Sequence, residues 1–186
     1  MAHPAVWDNH NFNVVKKIFL LFTVAGFITS AALAQAPDPD TTARHFLIMA
    51  SIGNLQEVNA GKLAVEKTAR ADIKSFGQMM VKDHSLAQTK LLQLAKSVGI
   101  QLPAAATATP PFDLKLGKAS GDDFDRLYVH AMLTGHRSTV QMFDTYSTTG
   151  KNPAVKAFAQ QMLPTLKAHL AAAKALDENY KGLTAK

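Results

Sequence analysis

The chain has 186 residues, of which 47% are hydrophobic, and it carries a formal net charge of +6 with no cysteine. The missing cysteine excludes a disulfide framework, a thiolate metal site and a lipid-attachment cysteine. The length suits one domain around a single core, and the basic residues are spread along the chain instead of forming a cluster. That spread favours a solvated helical surface over nucleic-acid binding, so we expect no nucleic-acid partner.

The N-terminal residues 1–34 have the pattern of a secretory signal peptide with an N-terminal extension. The basic pair Lys16-Lys17 precedes an apolar run at residues 18–28, which is too short to span a bilayer, and small residues end the segment at Ala34. This pattern predicts cleavage after Ala34, a periplasmic or secreted protein, and no stable membrane insertion after cleavage. A retained membrane anchor is the alternative. The polar lead before Lys16 also allows a translation start near Val14 or Val15.

After a short leader at residues 35–40, four stretches have apolar side chains at steps of three and four residues, as amphipathic helices do. The spacing predicts helices over residues 41–69, 72–98 and 120–149, and a fourth that starts at Asn152. The domain is predicted to span residues 41–180 and to leave a tail at residues 181–186. Abundant alanine and few runs of β-branched residues agree with an all-α fold.

The predicted helices 2 and 3 are joined by about twenty residues that contain Pro103, Pro110 and Pro111. At about 3.3 Å per residue, this segment can run the length of a roughly 40 Å helix, so it predicts a crossover that leaves helix 3 parallel to helix 2. Residues 112–116 are predicted to form a short turn over one end. Tight links join the other pairs, so the expected fold is a four-helix bundle with a long crossover.

Each predicted helix places one ligand-type residue on its inner face near mid-length: Glu57, His84, His136 and His169. The four positions lie at similar heights whichever way helix 3 runs, because their offsets along the helices differ by about one turn. A glutamate and three histidines at one level suit a mononuclear site for iron, manganese, zinc or copper.

A buried polar network is the alternative to a metal site, with Glu57 accepting hydrogen bonds from the imidazoles and from Tyr128. Partial exposure of one or more members is a third possibility. A di-iron carboxylate centre is disfavoured, because it needs Glu-x-x-His pairs. The residues three positions before the histidines are Val81, Leu133 and Leu166.

Other residues carry weaker signals. Asp83 points about 100° away from its neighbour His84, which favours a surface or helix-to-helix contact over a ligand role. His130 falls on a different helical face from His136. Methionines suggest copper in an extracytoplasmic protein, although methionine more often fills gaps in a core. The methionines of the predicted mature chain are Met49, Met79, Met80, Met132, Met142 and Met162.

Several short motifs, in order over residues 43–176, resemble domain-of-unknown-function family 4142, a family of ferritin-like exported bacterial proteins often labelled as outer-membrane proteins. The motifs are Gly53-Asn-Leu-Gln-Glu-Val with Gly61-Lys-Leu-Ala, Met80-Val-Lys-Asp-His-Ser, Phe124-Asp-Arg-Leu-Tyr with Gly135-His136, and Leu163-Pro164-Thr-Leu with His169-Leu170. The resemblance implies a ferritin-like fold, an exported location, and a correspondence of Glu57 and the three histidines to the family's characteristic polar positions. The missing Glu-x-x-His pairs argue against ferritin-type iron storage.

Two main functions remain open from the sequence. The first and preferred interpretation is a periplasmic binding or stress-related protein without catalysis of its own, which holds at most one transition-metal ion in its core. The alternative is a metal-dependent oxidoreductase that uses Glu57, His84, His136 and His169, with Tyr128 near the site. A weaker hypothesis is an envelope interaction module. An envelope polymer or a second copy of the chain are the partners that these interpretations allow.

Overall fold

The computed structural model describes residues 41–102 and 111–184, with side chains described for all of these except residues 111–114 and 182–184. The predicted signal peptide and leader at residues 1–40 lie outside the described residues. The described residues belong to one compact unit, Gln35–Lys186. They form the helices α1 Thr41–Lys67, α2 Ala71–Ser97, α3 Pro111–Lys118, α4 Gly121–Thr149 and α5 Pro153–Thr184.

The all-α prediction and the four-helix bundle are confirmed by the long helices α1, α2, α4 and α5. The short helix α3 covers the turn predicted at residues 112–116, and it lies within the long connection between α2 and α4. At its C-terminal end, α5 continues to Thr184, past the end of the predicted domain at Tyr180. None of the helices in the described ranges is long and apolar enough to cross a membrane.

The helix ends follow from local chemistry. At the start of α5, the Asn152 side-chain oxygen accepts hydrogen bonds from the backbone N–H groups of Ala154 and Val155, at 3.1 and 3.2 Å. Pro153 occupies the first helical position, where its missing N–H costs no hydrogen bond. Gly99 ends α2 with a φ of 70°, the left-handed conformation that glycine adopts without a Cβ clash.

Two apolar clusters at opposite ends of the bundle determine the direction of each helix. The Phe46 cluster includes Phe46, Leu47, Leu91, Phe143, Tyr146 and Phe158. The Phe124 cluster includes Ala64, Ile73, Phe76, Phe124, Tyr128 and Leu176. The first cluster joins the start of α1 and α5 to the end of α2 and α4, so α4 runs parallel to α2. This is the direction that the long crossover predicted.

Glycines allow α1 and α2 to pack closely. A Cβ atom at Gly77 would lie 2.8 Å from the Ala64 Cβ and 2.9 Å from the Gly61 carbonyl oxygen. A Cβ at Gly61 would lie 2.6 Å from the Gly77 carbonyl oxygen. These distances are shorter than ordinary contacts of a Cβ atom. The two helices therefore cross at a point where neither Gly61 nor Gly77 has room for a side chain.

The inner face of α1 is rotated from the predicted one. The apolar spacing in helix 1 predicts an inner face that includes Phe46, Met49 and Gly53, but Met49 is 43% exposed. The buried side of α1 is centred on Ala43, Leu47, Ala50 and Asn54, because both α2 and α4 pack against it. Packing from two sides places Met49 at the edge of the interface.

Candidate metal centre

Three histidines from three helices meet between the two apolar clusters. His84 on α2, His136 on α4 and His169 on α5 are 4%, 1% and 2% exposed. One ring nitrogen from each residue lies within 4.8 Å of those from the other two. Their ring centroids are 5.3–5.7 Å apart. The structure therefore brings together three of the four residues that the sequence singled out.

Each imidazole donates one hydrogen bond to an oxygen atom. The His84 Nδ1 lies 3.0 Å from the Asn54 Oδ1, and the His136 Nδ1 lies 2.9 Å from the Met132 carbonyl oxygen. The His169 Nε2 lies 3.0 Å from the Asp83 Oδ2. Because a carbonyl or carboxylate oxygen can only accept, the hydrogen in each bond belongs to the histidine.

These bonds decide which nitrogen of each ring carries a lone pair. A neutral imidazole has one N–H donor and one acceptor nitrogen. The remaining nitrogens are the His84 Nε2, the His136 Nε2 and the His169 Nδ1, which are buried with no hydrogen-bond partner among the described residues. Three lone pairs thus lie in the interior of the bundle, and no donor in the described part of the chain satisfies them.

Burial keeps two of the rings neutral. Burial, together with the repulsion from charge on His136 and His169, lowers the pKa of His84 to about 3. Burial also lowers the pKa of His136 to about 4, against the opposing effect of its hydrogen bond to the Met132 carbonyl. Neutral imidazoles are the form that binds metal, so no proton must be displaced from these two near pH 7.

Glu57 lies beside the histidines but outside the group of three nitrogens. Its side chain is 12% exposed, and its Oε1 is 3.7 Å from the His136 Nδ1. Gly135 leaves room for this carboxylate, since a Cβ at that position would lie 3.3 Å from the Oε1. Glu57 therefore contributes a negative charge next to the ring of His136, on the side of its Nδ1.

Tyr128 is fully buried, and burial together with the nearby Glu57 charge raises the pKa of its hydroxyl. That hydroxyl has no hydrogen-bond partner among the described residues. The bond from Tyr128 to Glu57, which the polar-network alternative included, is thus not found. His130, expected on another face, is exposed.

A hydrogen-bonded series that the sequence did not indicate supports His84. The Asn54 Nδ2 donates to the Gln88 Oε1 at 3.2 Å, and the Gln88 Nε2 donates to the Ser51 Oγ at 2.9 Å. This arrangement holds the Asn54 oxygen toward His84. The signal that could have found Asn54 is its position three residues before Glu57, one turn along the same helix.

The bond from Asp83 to His169 joins α2 to α5 and is the helix-to-helix contact that the sequence favoured for Asp83. A carboxylate on the outer nitrogen of a histidine fixes the ring orientation and makes the inner nitrogen a stronger base. Although Asp83 is next to His84 in sequence, it acts on the histidine of another helix.

A cavity of about 30 Å³ borders the three histidines, Glu57 and Asn54. That volume has room for a water-sized species. In a tetrahedral site with bonds of about 2.0–2.1 Å, the nitrogens would be about 3.4 Å apart. The rings are therefore slightly farther apart than bound ligands would be, and side-chain movements of roughly 1 Å would bring them to that spacing. The donor set, the burial and the space all fit a single transition-metal ion.

The fold is shared with solved structures of CopM. The Cu(I)-bound form of CopM matches with a TM-score of 0.62 and 17% identity, over 74% of this chain and 96% of CopM. The Ag-bound form obtained by co-crystallization matches with a TM-score of 0.60 and the Cu(II)-bound form with 0.59, each at 17% identity. They cover 74% and 75% of this chain, and 96% and 97% of CopM. At this identity the similarity shows the fold alone.

A comparison with curated proteins finds no match. The model of the family described as domain of unknown function DUF4142 matches residues 29–176. That range contains the four long helices as far as Leu176 and every residue of the candidate centre. The chain therefore belongs to the DUF4142 family, as its motifs suggested.

Proposed function

We propose that this protein is an exported metal-binding protein that holds one transition-metal ion, preferentially copper, in the bundle core. His84, His136 and His169 supply three ligands, and Glu57, which lines the same cavity, supplies the fourth. The observation that carries this proposal is the set of three buried imidazoles that all donate outward. Their remaining nitrogens have lone pairs that no group among the described residues satisfies.

The outward bonds favour a metal over the polar-network alternative. In a self-contained network, at least one ring would donate to another, and here the donors of all three rings are used on Asn54, Met132 and Asp83. Protonation of a ring would supply a donor, but the lowered pKa values of His84 and His136 oppose it near pH 7. A cation bound at the inner nitrogens satisfies all three lone pairs together.

Copper is the preferred ion on ligand chemistry. Imidazole ligands suit zinc, copper, iron and nickel, and copper(II) has the highest affinity of the divalent series for a given nitrogen and oxygen site. The CopM proteins that share this fold were solved with Cu(I), Cu(II) and Ag bound. That shared fold supports the choice of copper for the first assay. The signal-peptide pattern at residues 1–34 supports an exported location.

A binding role is favoured over an oxidoreductase by the size of the cavity. Its volume of about 30 Å³ is far below the ~300–1,000 Å³ of pockets that enclose organic ligands. It has room for bound ions and water molecules but not for an organic ligand. We therefore infer that the protein stores, buffers or carries the ion and does not transform an organic substrate.

The test is metal content by mass spectrometry on the mature protein, purified from the periplasm without a histidine tag. We expect about one equivalent of copper per chain at the histidine centre of the parent. The variants His84→Ala and His169→Ala should each lose most of it, because two histidines cannot hold an ion against competing buffers. His130→Ala is the matched control, since it removes an exposed histidine from the same helix as His136.

Two results would contradict the proposal. One is a parent protein without metal even after incubation with copper, zinc, iron and manganese. The other is metal content that His130→Ala lowers as much as His84→Ala does. The further variant Glu57→Gln tests whether Glu57 is the fourth ligand. If it is, this variant should weaken copper binding about tenfold or more. Unchanged affinity in Glu57→Gln would remove Glu57 from the ligand set and leave the three histidines.

A further inference from the structure

Three methionines from three helices line the same cavity as the histidines: Met49 on α1, Met142 on α4 and Met162 on α5. Met49 lies eight residues before Glu57 on α1. Met142 lies six residues after His136 on α4, and Met162 lies seven residues before His169 on α5. At about 1.5 Å per residue, each methionine is displaced along its helix by about 9–12 Å.

The three displacements point to the same end of the bundle. The Phe46 cluster joins the start of α1 and α5 to the end of α4, so moving backward along α1 and α5 and forward along α4 leads toward that cluster. Met142 and Met162 pack against the Phe46 cluster. The three thioethers therefore come from one level, about 10 Å from the histidines.

Filling the core explains these three methionines less completely than it explains Met80 and Met132. Met80 and Met132 are fully buried in the Phe124 cluster, where they fill space between aromatic rings. In contrast, Met49 is 43% exposed, and Met142 and Met162 are partly buried. The three methionines that line the cavity thus lie between the solvent-exposed surface and the buried core.

Thioether sulfur has a distinct metal preference. It is soft, uncharged and never protonated near neutral pH, so it selects Cu(I) and other soft ions over zinc, whose sites use histidine, carboxylate or thiolate. The neighbouring Phe143 and Phe158 supply an apolar wall, and Thr165 supplies a hydroxyl. Such surroundings do not favour a divalent ion, because the described residues that line the methionine end of the cavity include no carboxylate to balance its charge.

We propose that Met49, Met142 and Met162 form a second site, a thioether site for one soft monovalent cation such as Cu(I) or Ag(I), about 10 Å from the histidines in the same cavity. Side-chain rotations would bring the sulfurs to the ion, since methionine has three rotatable bonds and Met49 is exposed. This site goes beyond the histidine centre, and its ion need not be the same one.

The experiment uses Ag(I) as the probe on the full chain. The methyl signals of the methionines are followed by NMR while Ag(I) is added. The signals of Met49, Met142 and Met162 should shift together and saturate at one equivalent, and those of Met80 and Met132 should stay. Zn(II) in place of Ag(I) should leave all of these signals in position. Shifts of Met80 and Met132 alone, or none at all, would overturn the proposal.

Matched variants provide a second test of the methionine site. The triple variant Met49→Leu, Met142→Leu and Met162→Leu should bind Ag(I) at least tenfold more weakly at this position, measured by competition with a monovalent-copper chelator. The control triple, Met79→Leu, Met80→Leu and Met132→Leu, makes the same chemical change at the other end of the bundle and should bind as the parent does. Equal Ag(I) affinity in the two triples contradicts a thioether site.

The histidine variants separate this proposal from the proposed function. His84→Ala with His169→Ala should lose the copper of the histidine centre and retain the methionine shifts caused by Ag(I). If those shifts disappear as well, the methionines do not bind by themselves and the second site is wrong. If the parent lacks copper at the histidines but shows the shifts, the second site stands and the proposed function fails.

Discussion

At the scale of single residues, each histidine of the centre depends on a partner from its surroundings. His169 is held by the Asp83 carboxylate on α2, and His84 by the Asn54 amide on α1. His136 is held by the carbonyl of Met132, one turn earlier on its own helix. A histidine bound in this way cannot turn its other nitrogen away from the centre without losing a buried hydrogen bond.

Asp83→Asn tests this positioning role. An amide oxygen can still accept the hydrogen bond from His169, but the negative charge that strengthens the inner nitrogen is lost. We expect copper affinity to fall about 10–100-fold in a competition titration, with little change in the helical content measured by circular dichroism.

Asp144→Asn is the matched control for the lost charge. Asp144 is paired at the surface with Lys167 at 3.7 Å, and both side chains are mostly exposed. Such a pair contributes little to stability, so this variant should bind copper as the parent does. If the two variants bind equally well, Asp83 is only a helix-to-helix contact.

At the scale of elements, the crossing of α1 and α2 depends on two glycines that have no room for a side chain. Helix propensity alone would make Gly77→Ala favourable by about 1 kcal/mol. The contacts that a Cβ would make at 2.8 and 2.9 Å oppose this gain. Packing should dominate, because the Gly61 carbonyl belongs to a helix backbone that cannot yield without separating the two helices.

We therefore expect Gly77→Ala to lower the free energy of unfolding by about 1–3 kcal/mol, the usual cost of overpacking, in urea denaturation. Gly53→Ala on α1 is the matched control, because nothing lies within 4 Å of a Cβ at that position. It should raise the free energy of unfolding by about 0.5–1 kcal/mol. A stabilised Gly77→Ala would show that the close helix crossing is not required.

At the scale of the whole molecule, the buried histidines make the stability of the metal-free protein depend on pH. An unfolded histidine has a pKa of about 6.5. The folded-state pKa values are about 3 for His84 and about 4 for His136. Below pH 6.5, the unfolded chain binds protons at these residues that the folded chain does not. The free energy of unfolding must therefore decrease as the pH falls.

For each of the two histidines, the expected slope is about 0.7 kcal/mol per pH unit at pH 6.5 and approaches about 1.4 kcal/mol per pH unit near pH 5. Urea unfolding of the metal-free protein between pH 6.5 and 5 measures it, in a range where most carboxylates remain ionised. His84→Gln should reduce the slope by the contribution of one buried histidine. His130→Gln changes an exposed histidine and should leave the slope as it is. Equal slopes in the parent and His84→Gln would mean that His84 is not kept neutral by burial.

The sequence by itself determined the elements and the level of the candidate centre. Helical periodicity is local, and residues such as Gly99 and Pro153 mark a helix boundary through their own chemistry. The same spacing placed Glu57 and the three histidines near mid-helix. The long connection before α4 predicted that α4 runs parallel to α2, because a chain of that length can cross the bundle.

Only the tertiary structure decided what surrounds each of these residues. The rotation of α1 follows from packing against both α2 and α4, and it moved Met49 to the edge while it buried Asn54. The partners Asn54 and Asp83 come from helices other than those of the histidines they hold. The tertiary structure also places Met49, Met142 and Met162 along one cavity. Such relations join residues far apart in the chain, and no local pattern records them because they arise when the helices pack.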